Sequence, residues 1–171
     1  RAARGAKALR AAMTHLRARP LAPAGFVLMG YSMGAVAVLR AAAAEADVRA
    51  VVVEAPYDTY RDTVVHHGTL LYGLPHWFPL TPVAIALAEW RAGFRAKDID
   101  VVDAAAHTRA ALLAIADGDD PRMPEAVVRH VLDAHRGPKA FWVAPGAGHV
   151  GASGSPQYWP TVLGFLQAQG L

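Results

Sequence analysis

Short apolar runs alternate with longer segments of helical pattern along most of the chain. Runs of β-branched and aliphatic residues predict four strands, each ended by glycine, proline or polar residues. The intervening segments have apolar residues at helical spacing or are rich in alanine, a strong helix former. The predicted strands are residues 26–29, 48–54, 110–116 and 140–143, and the predicted helices are residues 5–18, 35–46, 83–91, 124–135 and 156–169.

The predicted strands are apolar at consecutive positions, as in Val51-Val52-Val53, and do not alternate with polar residues. Such strands are typical of a parallel sheet that helices cover on both faces. We therefore expect an α/β fold with a mostly parallel sheet, in a single domain over residues 1–171. The pattern is least regular over residues 60–107, where histidines, tryptophans and prolines occur, and we interpret this part as a lid-like segment.

The most informative pattern of the chain follows the first predicted strand. The sequence Gly30-Tyr31-Ser32-Met33-Gly34 comes directly after an apolar run and before an alanine-rich helix. A G-x-S-x-G turn between a strand and a helix is typical of a nucleophile elbow, which lifts a serine hydroxyl above the sheet. Because such a turn brings strand and helix close together, we expect a side chain at either glycine to collide with the adjoining backbone.

Acyl transfer by a serine also needs a base and an acid, and a histidine and an aspartate follow later strands. Asp120 comes after the third predicted strand, and His149 comes after the fourth. In a parallel sheet the carboxyl ends of the strands lie along one edge, so we expect Ser32, Asp120 and His149 to meet there. Histidine can take the proton of an attacking serine, and a carboxylate can orient that histidine.

Four segments resemble landmarks of the α/β-hydrolase superfamily, most closely of its serine aminopeptidase-like and prolyl-oligopeptidase-like members. They are Gly-Tyr-Ser-Met-Gly-Ala at 30–35, Glu-Ala-Pro-Tyr at 54–57, Asp-Asp-Pro-Arg-Met-Pro at 119–124 and Pro-Gly-Ala-Gly-His-Val-Gly at 145–151. The resemblance covers nearly the whole chain. It implies that Ser32 is the nucleophile, Asp120 the acid and His149 the base. It also implies that the backbone N–H of Met33 lies in the oxyanion hole.

The choice of the acid is open between three aspartates near the end of the third predicted strand. The family commonly places its acid four residues before a proline, and Asp120 stands so relative to Pro124. We therefore prefer Asp120 to Asp117 and Asp119. Glu54 and Asp58 follow the second strand and could contact the site, but we prefer to interpret them as strand-end caps.

Family members have further strands ahead of the helix that precedes the elbow, and a loop there supplies a second oxyanion donor. This chain starts at Arg1 directly with a predicted helix. We therefore expect the C-terminal portion of an α/β-hydrolase fold that lacks its N-terminal strands. Without the second donor, transition-state stabilisation is expected to fall by about 3 kcal/mol.

These features predict a serine hydrolase that cleaves a carboxylic ester or a related acyl bond through an acyl-serine intermediate. The expected substrates are small acyl or peptide compounds. The apolar lid-like segment favours an esterase, lipase or thioesterase, whereas the family likeness leaves a peptidase open. A non-catalytic binding domain of the same fold is the remaining alternative. We expect substrate contacts from Tyr31, Trp77 and Phe78, the last two forming with Trp90 a lid or the wall of an acyl pocket.

Composition mainly excludes other chemistry. The 171 residues are 54% hydrophobic and 18% charged, which is typical of a globular chain, and the absence of cysteine excludes a thiol nucleophile. His66 and His67 are adjacent and have no third ligand at suitable spacing. We therefore expect neither a metal nor an organic cofactor.

The formal net charge of +3 has its main source at the start of the chain. This segment has no acidic residue and carries the basic residues Arg1, Arg4, Lys7, Arg10, Arg17 and Arg19. We interpret it as an amphipathic helix with Leu9, Met13 and Leu16 on its apolar side, in preference to a surface for anions or membranes. Since no nucleic-acid-binding pattern accompanies it, we expect no nucleic-acid partner.

Overall fold

The computed structural model describes residues 2–19 and 24–171. Arg1, and the prolines at 20 and 23 before which the first helix was expected to end, lie outside the described residues. The helices are α1 (Ala2–Arg17), α2 (Met33–Ala44), α3 (Tyr60–Tyr72), α4 (Thr81–Ala92), α5 (Val101–His107), α6 (Glu125–Ala134) and α7 (Tyr158–Ala168), with 3-10 turns at Ala96–Ile99 and Ala152–Gly154. The strands are β1 (Phe26–Tyr31), β2 (Val48–Glu54), β3 (Ala111–Asp117) and β4 (Lys139–Ala144).

The four strands form one parallel sheet in the order β1-β2-β3-β4. The predicted parallel α/β architecture is therefore confirmed. The two central strands, β2 and β3, are buried along almost their whole length. Their successive side chains enter opposite cores, so that Val51 and Val53 pack on one side of the sheet and Val52 on the other.

Helices cover both faces of the sheet, as the apolar strands predicted. Residues of α1, α2, α5 and α6 form one core, and α7 closes the other. The first core includes Met13, Leu39, Val101 and Val131, and the second includes Tyr158, Val162 and Phe165. Each such fully buried apolar side chain contributes about 1.5–3 kcal/mol. This burial fixes where each strand ends, and with it the position of every loop at the carboxyl edge.

The basic helix α1 packs against α2 and is tied to the turn between α2 and β2. Arg10 donates to Glu45, and Arg17 donates to both Glu45 and Asp47. Hydrogen bonds from these guanidinium groups hold the pKa of both carboxyls below their usual values. Acidic partners for this helix thus come from another part of the chain. The apolar side of α1 is shorter than predicted, because the side chain of Leu16 is 42% exposed.

The segment over residues 60–107 is more regular than predicted, since α3 and α5 accompany α4, the one helix predicted there (residues 83–91). The hydroxyl of Thr59 caps α3 by accepting the N–H of Asp62, and Gly73 ends the helix in the left-handed conformation. No residue of α3 or α4 is buried. α3 lacks the apolar stripe by which sequence patterns reveal a helix, whereas the apolar, alanine-rich sequence of α4 was sufficient to predict it. None of the helices in the described part of the chain has the length and apolarity needed to cross a membrane.

Candidate active site

The carboxyl ends of all four strands reach the same edge of the sheet, because the strands are parallel. Three non-glycine residues of the described chain have a positive φ, and all follow β-strands at this edge. They are Ser32 with φ 48°, Ala55 with φ 48° and Val150 with φ 59°. Such conformations cost on the order of 1–3 kcal/mol each and persist only where surrounding contacts impose them. Their concentration marks this edge as the candidate functional site.

Ser32 lies in the turn between β1 and α2, and the backbone fixes it on both sides. Its N–H donates to the carbonyl of Glu54 at 2.8 Å, and its own carbonyl accepts the N–H of Ala35 at 3.0 Å. A Cβ at Gly30 would lie 2.5 Å from the carbonyl oxygen of Gly34, as expected for an elbow. The collision predicted for a side chain at Gly34 is wrong, because a Cβ there would meet open space.

The hydroxyl of Ser32 is directed to His149. Although Ser32 is the N-cap of α2, its side chain makes no capping hydrogen bond, and Oγ lies 3.0 Å from Nε2 of His149. On the other side of the ring, Nδ1 lies 2.7 Å from Oδ2 of Asp120. Since a carboxylate can only accept, Nδ1 carries the hydrogen and Nε2 accepts the serine O–H. The three side chains therefore form one continuous chain of hydrogen bonds.

The three aspartates near the end of β3 have different surroundings. Asp120 contacts the imidazole, its side chain is fully buried, and its Oδ1 accepts the N–H of Arg122 at 2.8 Å. Asp119 is exposed. Asp117 is buried and accepts backbone N–H groups of the loop that follows His149. Of the three carboxylates that the sequence left open, Asp120 is thus the one that orients the imidazole.

Two further predicted site residues lie on either side of Ser32. Met33 is the first residue of α2, so its N–H has no carbonyl partner within the helix. The phenol of Tyr31 accepts a hydrogen bond from the hydroxyl of Tyr158 at 3.1 Å, which ties the elbow to α7. Tyr31 therefore has a packing contact, in addition to the substrate contact that remains a prediction.

The two adjacent histidines of α3 lie over the loop that carries the acid. Nε2 of His66 donates to the carbonyl oxygen of Pro121 at 2.7 Å. Burial lowers the pKa of His67, and electrostatic interactions with His66, Arg122 and His149 lower it further. The sequence did not predict that α3 contacts the loop of Asp120, because α3 itself was not recognised.

A mostly apolar cavity of about 340 Å³ lies between α3 and α4. Its lining includes Val64, Val65, His67, Leu74, Phe78 and Ala84. His67 directly follows His66, which bonds the loop of Asp120, so one wall of the cavity is the helix that contacts the acid loop. Phe78, a predicted substrate contact, belongs to this lining. Trp77, the other predicted contact on this segment, lies outside the lining and is 78% exposed.

Two buried carboxyl groups lie beneath the loop of His149. Glu54 ends β2 and Asp117 ends β3, and each is 1% exposed. Both accept the N–H of Ala152, at 3.0 and 2.9 Å. Burial, and then the negative charge of Asp117, raises the pKa of Glu54 to about 7. Glu54 is therefore more than the strand-end cap expected from the sequence; the available signal was an acidic residue directly after an apolar strand.

Asp117, Asp120 and His149 each present one possible ligand atom, and these atoms lie within 4.8 Å of one another. The hydrogen bonds described above already use the groups concerned. Nδ1 of His149 donates to Asp120, and Asp117 accepts two backbone N–H groups. We therefore assign no metal site to them.

Sequence comparison finds one distant relative. No protein-family model matches the chain. The YqkD protein of Bacillus subtilis (strain 168), described as uncharacterized, is 29% identical over 122 residues. The match spans 70% of this chain but only 40% of the length of YqkD.

Several solved structures resemble the chain over nearly its whole length. An esterase from Pyrococcus furiosus has a TM-score of 0.71 and 22% identity, over 97% of this chain and 62% of its own. The esterase domain of a Rhodothermus marinus protein has a TM-score of 0.66 and 23% identity, over 96% and 67%. The α/β hydrolase GrgF from Penicillium sp. has a TM-score of 0.69 and 18% identity, over 98% and 72%. The chain therefore has the α/β-hydrolase fold and corresponds to part of the length of these proteins.

Proposed function

We propose that the chain carries the catalytic centre of a serine hydrolase, which cleaves a carboxylic ester or a related acyl bond through an acyl-enzyme on Ser32. The observation that carries this proposal is the chain of hydrogen bonds from Asp120 through His149 to Ser32, with distances of 2.7 and 3.0 Å. The positive φ of Ser32 supports the proposal. Such backbone strain costs free energy of folding, and it is typical of a turn that exposes a nucleophilic hydroxyl.

Acylation follows from these contacts. Oγ of Ser32 attacks the carbonyl carbon of the ester while Nε2 of His149 takes the hydroxyl proton, and the carbonyl electron pair moves onto oxygen. The carboxylate of Asp120 stabilises the resulting imidazolium through its hydrogen bond with Nδ1. As the tetrahedral intermediate collapses, the bond to the leaving alcohol breaks and His149 gives its proton to the departing oxygen.

Deacylation repeats the same steps with water as the nucleophile. His149 takes a proton from water as its oxygen attacks the acyl carbon, and then returns the proton to Oγ of Ser32 as the ester bond of the intermediate breaks. The free acid leaves and the resting triad is restored. Each step uses only the donor and acceptor capacities that the three side chains have in the structure.

The oxyanion of both intermediates is assigned to the N-terminal end of α2. The N–H of Met33 has no partner within the helix, and the helix dipole favours negative charge at this end. Removal of one such donor typically costs about 3–4 kcal/mol of transition-state stabilisation.

The cavity between α3 and α4 supports an apolar acyl group in the substrate, since one of its walls is the helix that contacts the loop of Asp120. Its volume of about 340 Å³ is small for a ligand pocket and is suited to a short or medium acyl chain. The names of two similar structures, an esterase and an esterase domain, agree with an ester substrate. Peptide substrates of the serine aminopeptidase type are the alternative tested below.

Labelling of the intact protein with a fluorophosphonate probe tests the proposal. We expect one covalent adduct at Ser32, no adduct after Ser32→Ala, and unchanged labelling after Ser153→Ala, which alters an exposed serine that is not part of the triad. Labelling that survives Ser32→Ala, or its absence in the unsubstituted protein, would contradict the proposal. Turnover of p-nitrophenyl acyl esters in preference to aminoacyl p-nitroanilides then supports an esterase, and the reverse preference a peptidase.

A further inference from the structure

We propose that Glu54 and Asp117 form a buried acid pair that carries a single proton and positions His149 from beneath. Both would act as positioning residues, since neither carboxyl group bonds to the hydroxyl of Ser32 or to the imidazole, and Glu54 meets Ser32 only through its backbone carbonyl. The effect on activity rests on the proposed function, whereas the existence of the pair does not.

Asp117 holds the two residues that set the direction of the chain after His149. Its Oδ2 accepts the N–H of Val150 at 2.8 Å, and its Oδ1 accepts the N–H of Ala152 at 2.9 Å. Val150 has a φ of 59°, in the left-handed region that β-branched residues rarely adopt. The carboxylate of Asp117 therefore stabilises a strained residue directly next to His149, and with it the placement of the imidazole.

Glu54 brings a second carboxyl group to the same N–H. Its Oε1 lies 3.0 Å from the nitrogen of Ala152, and its Oε2 is buried with no hydrogen-bond partner in the described structure. None of the ion pairs in the described part of the chain reaches either carboxyl. Two adjacent buried carboxylates cannot both remain ionised at low cost, so one proton is retained between them.

The other titratable groups around the pair do not supply a compensating positive charge at neutral pH. Tyr158 approaches from α7, and burial, its hydrogen bond with Tyr31 and the charges of Glu54 and Asp117 all raise its pKa, so its phenol stays neutral. Asp117 comes from β3, and Asp120 and His149 lie within 4.8 Å of its carboxyl but bond to each other. The proton shared by Glu54 and Asp117 is therefore the available means of reducing their repulsion.

If Glu54 and Asp117 share a proton, the stability of the fold should depend on pH whether or not the protein is an enzyme. The pKa of Glu54 is raised from 4.5 to about 7 in the folded state, chiefly by burial. A group with a raised folded pKa stabilises the fold fully below its unfolded pKa and loses this contribution as the pH rises through its folded pKa. The fold should therefore lose stability between about pH 4.5 and pH 7, because the carboxyl of the unfolded chain ionises in this range while the folded Glu54 keeps its proton.

Glu54→Gln tests the pair, because glutamine keeps the shape of a protonated glutamate and cannot ionise. We expect the Tm of Glu54→Gln, relative to the unsubstituted protein, to rise progressively between about pH 4.5 and pH 8. Asp133→Asn, at an exposed position on α6, is the control and should show no such trend. A Tm difference that is constant over this pH range would overturn the shared proton.

Activity tests the positioning role. Ionisation of the pair should disturb the loop of His149, so kcat/KM should fall on the alkaline side, and Glu54→Gln should reduce this fall severalfold.

Asp117→Asn replaces one acceptor oxygen by a donor that opposes a backbone N–H, so kcat should fall at least tenfold with KM nearly constant. Asp133→Asn, at an exposed position on α6, is the control. Unchanged kcat in Asp117→Asn would overturn the positioning role.

The two proposals fail separately. The pH dependence of Tm can be measured in the Ser32→Ala background, where it is expected to persist. If fluorophosphonate labels Ser32 but the Tm difference is constant, the acid pair is wrong and the serine hydrolase stands. If labelling fails but the Tm difference follows pH as expected, the acid pair stands and the hydrolase proposal is wrong.

Discussion

Because Gly30 has no side chain, β1 and α2 can lie close together at the elbow. A Cβ at Gly30 would lie 2.5 Å from the carbonyl oxygen of Gly34 and 2.8 Å from the nitrogen of Ala35. These are backbone atoms of the first turn of α2, so they cannot move without moving Ser32. Gly34, which faces open space, has no such constraint although it belongs to the same motif.

Substitution of the two glycines should therefore have opposite consequences for stability. Gly30→Ala is expected to lower the free energy of unfolding by about 1–3 kcal/mol, because the clash strains the turn, and to slow fluorophosphonate labelling of Ser32. Gly34→Ala should leave stability equal or raise it by up to about 1 kcal/mol, since alanine favours the helix. Urea denaturation measures both, and equal destabilisation by the two variants would contradict the asymmetry.

At the scale of elements, α3 and α4 form a cover beside the loop of Asp120. Residues at the ends of the two helices, and one contact with that loop, hold this cover. Thr59 and Gly73 cap α3, Gly93 ends α4 in the left-handed conformation, and His66 bonds the loop of Asp120 through Pro121. Few apolar contacts hold these helices to the sheet, because none of their residues is buried. The cover can therefore vary in sequence and shape without loss of the core, which is typical of an element that determines specificity.

Filling the cavity between α3 and α4 should change acyl-chain preference. Ala84→Phe adds a ring to the lining and is expected to lower kcat/KM severalfold for an octanoate ester relative to an acetate ester of p-nitrophenol. Ala86→Phe makes the same change on α4 outside this lining and is the control. If the octanoate-to-acetate ratio is the same in both variants, the cavity does not hold the acyl chain.

At the scale of the whole molecule, one parallel sheet between two helical layers brings together residues that are far apart along the chain. The strand order β1-β2-β3-β4 places the four carboxyl ends side by side, so the loops after them share one edge. On the layer that contains α1 and α2, ion pairs of Arg10 and Arg17 with Glu45 add to the apolar packing. These pairs are solvent-accessible, so their contribution to stability is small and is screened by salt.

Arg17→Gln should accordingly destabilise the protein slightly and in a pH-dependent manner. The pKa of Glu45 and Asp47 is lowered in the folded state, chiefly by guanidinium hydrogen bonds, so their contribution is present above the unfolded pKa and is lost as the pH falls. The Tm of Arg17→Gln should therefore lie below that of the unsubstituted protein near neutral pH and converge with it in acid. Arg91→Gln, an exposed position on α4, is the control, and an equal Tm difference at all pH values would contradict the pairing.

The sequence alone was sufficient for features that depend on local pattern. Consecutive apolar residues predicted β2 at residues 48–54 and the parallel sheet, because strands buried on two faces cannot alternate with polar residues. The elbow at Ser32 and the aspartate and histidine after later strands were recognisable because the strand ends of a parallel sheet meet. The roles of these residues in catalysis are proposals that the labelling experiment tests.

Other features depended on contacts between distant segments. α3 was not recognised because capping and tertiary contacts, not an apolar stripe, fix it, and the contact of His66 with the loop of Asp120 was missed with it. Trp77 lies outside the cavity that Phe78 lines, although they are adjacent in sequence. Glu54 and Asp117 end different strands, and only the packed sheet brings both to the N–H of Ala152. Local pattern determined which segments form strands and helices; burial and the register of the sheet decided which side chains meet.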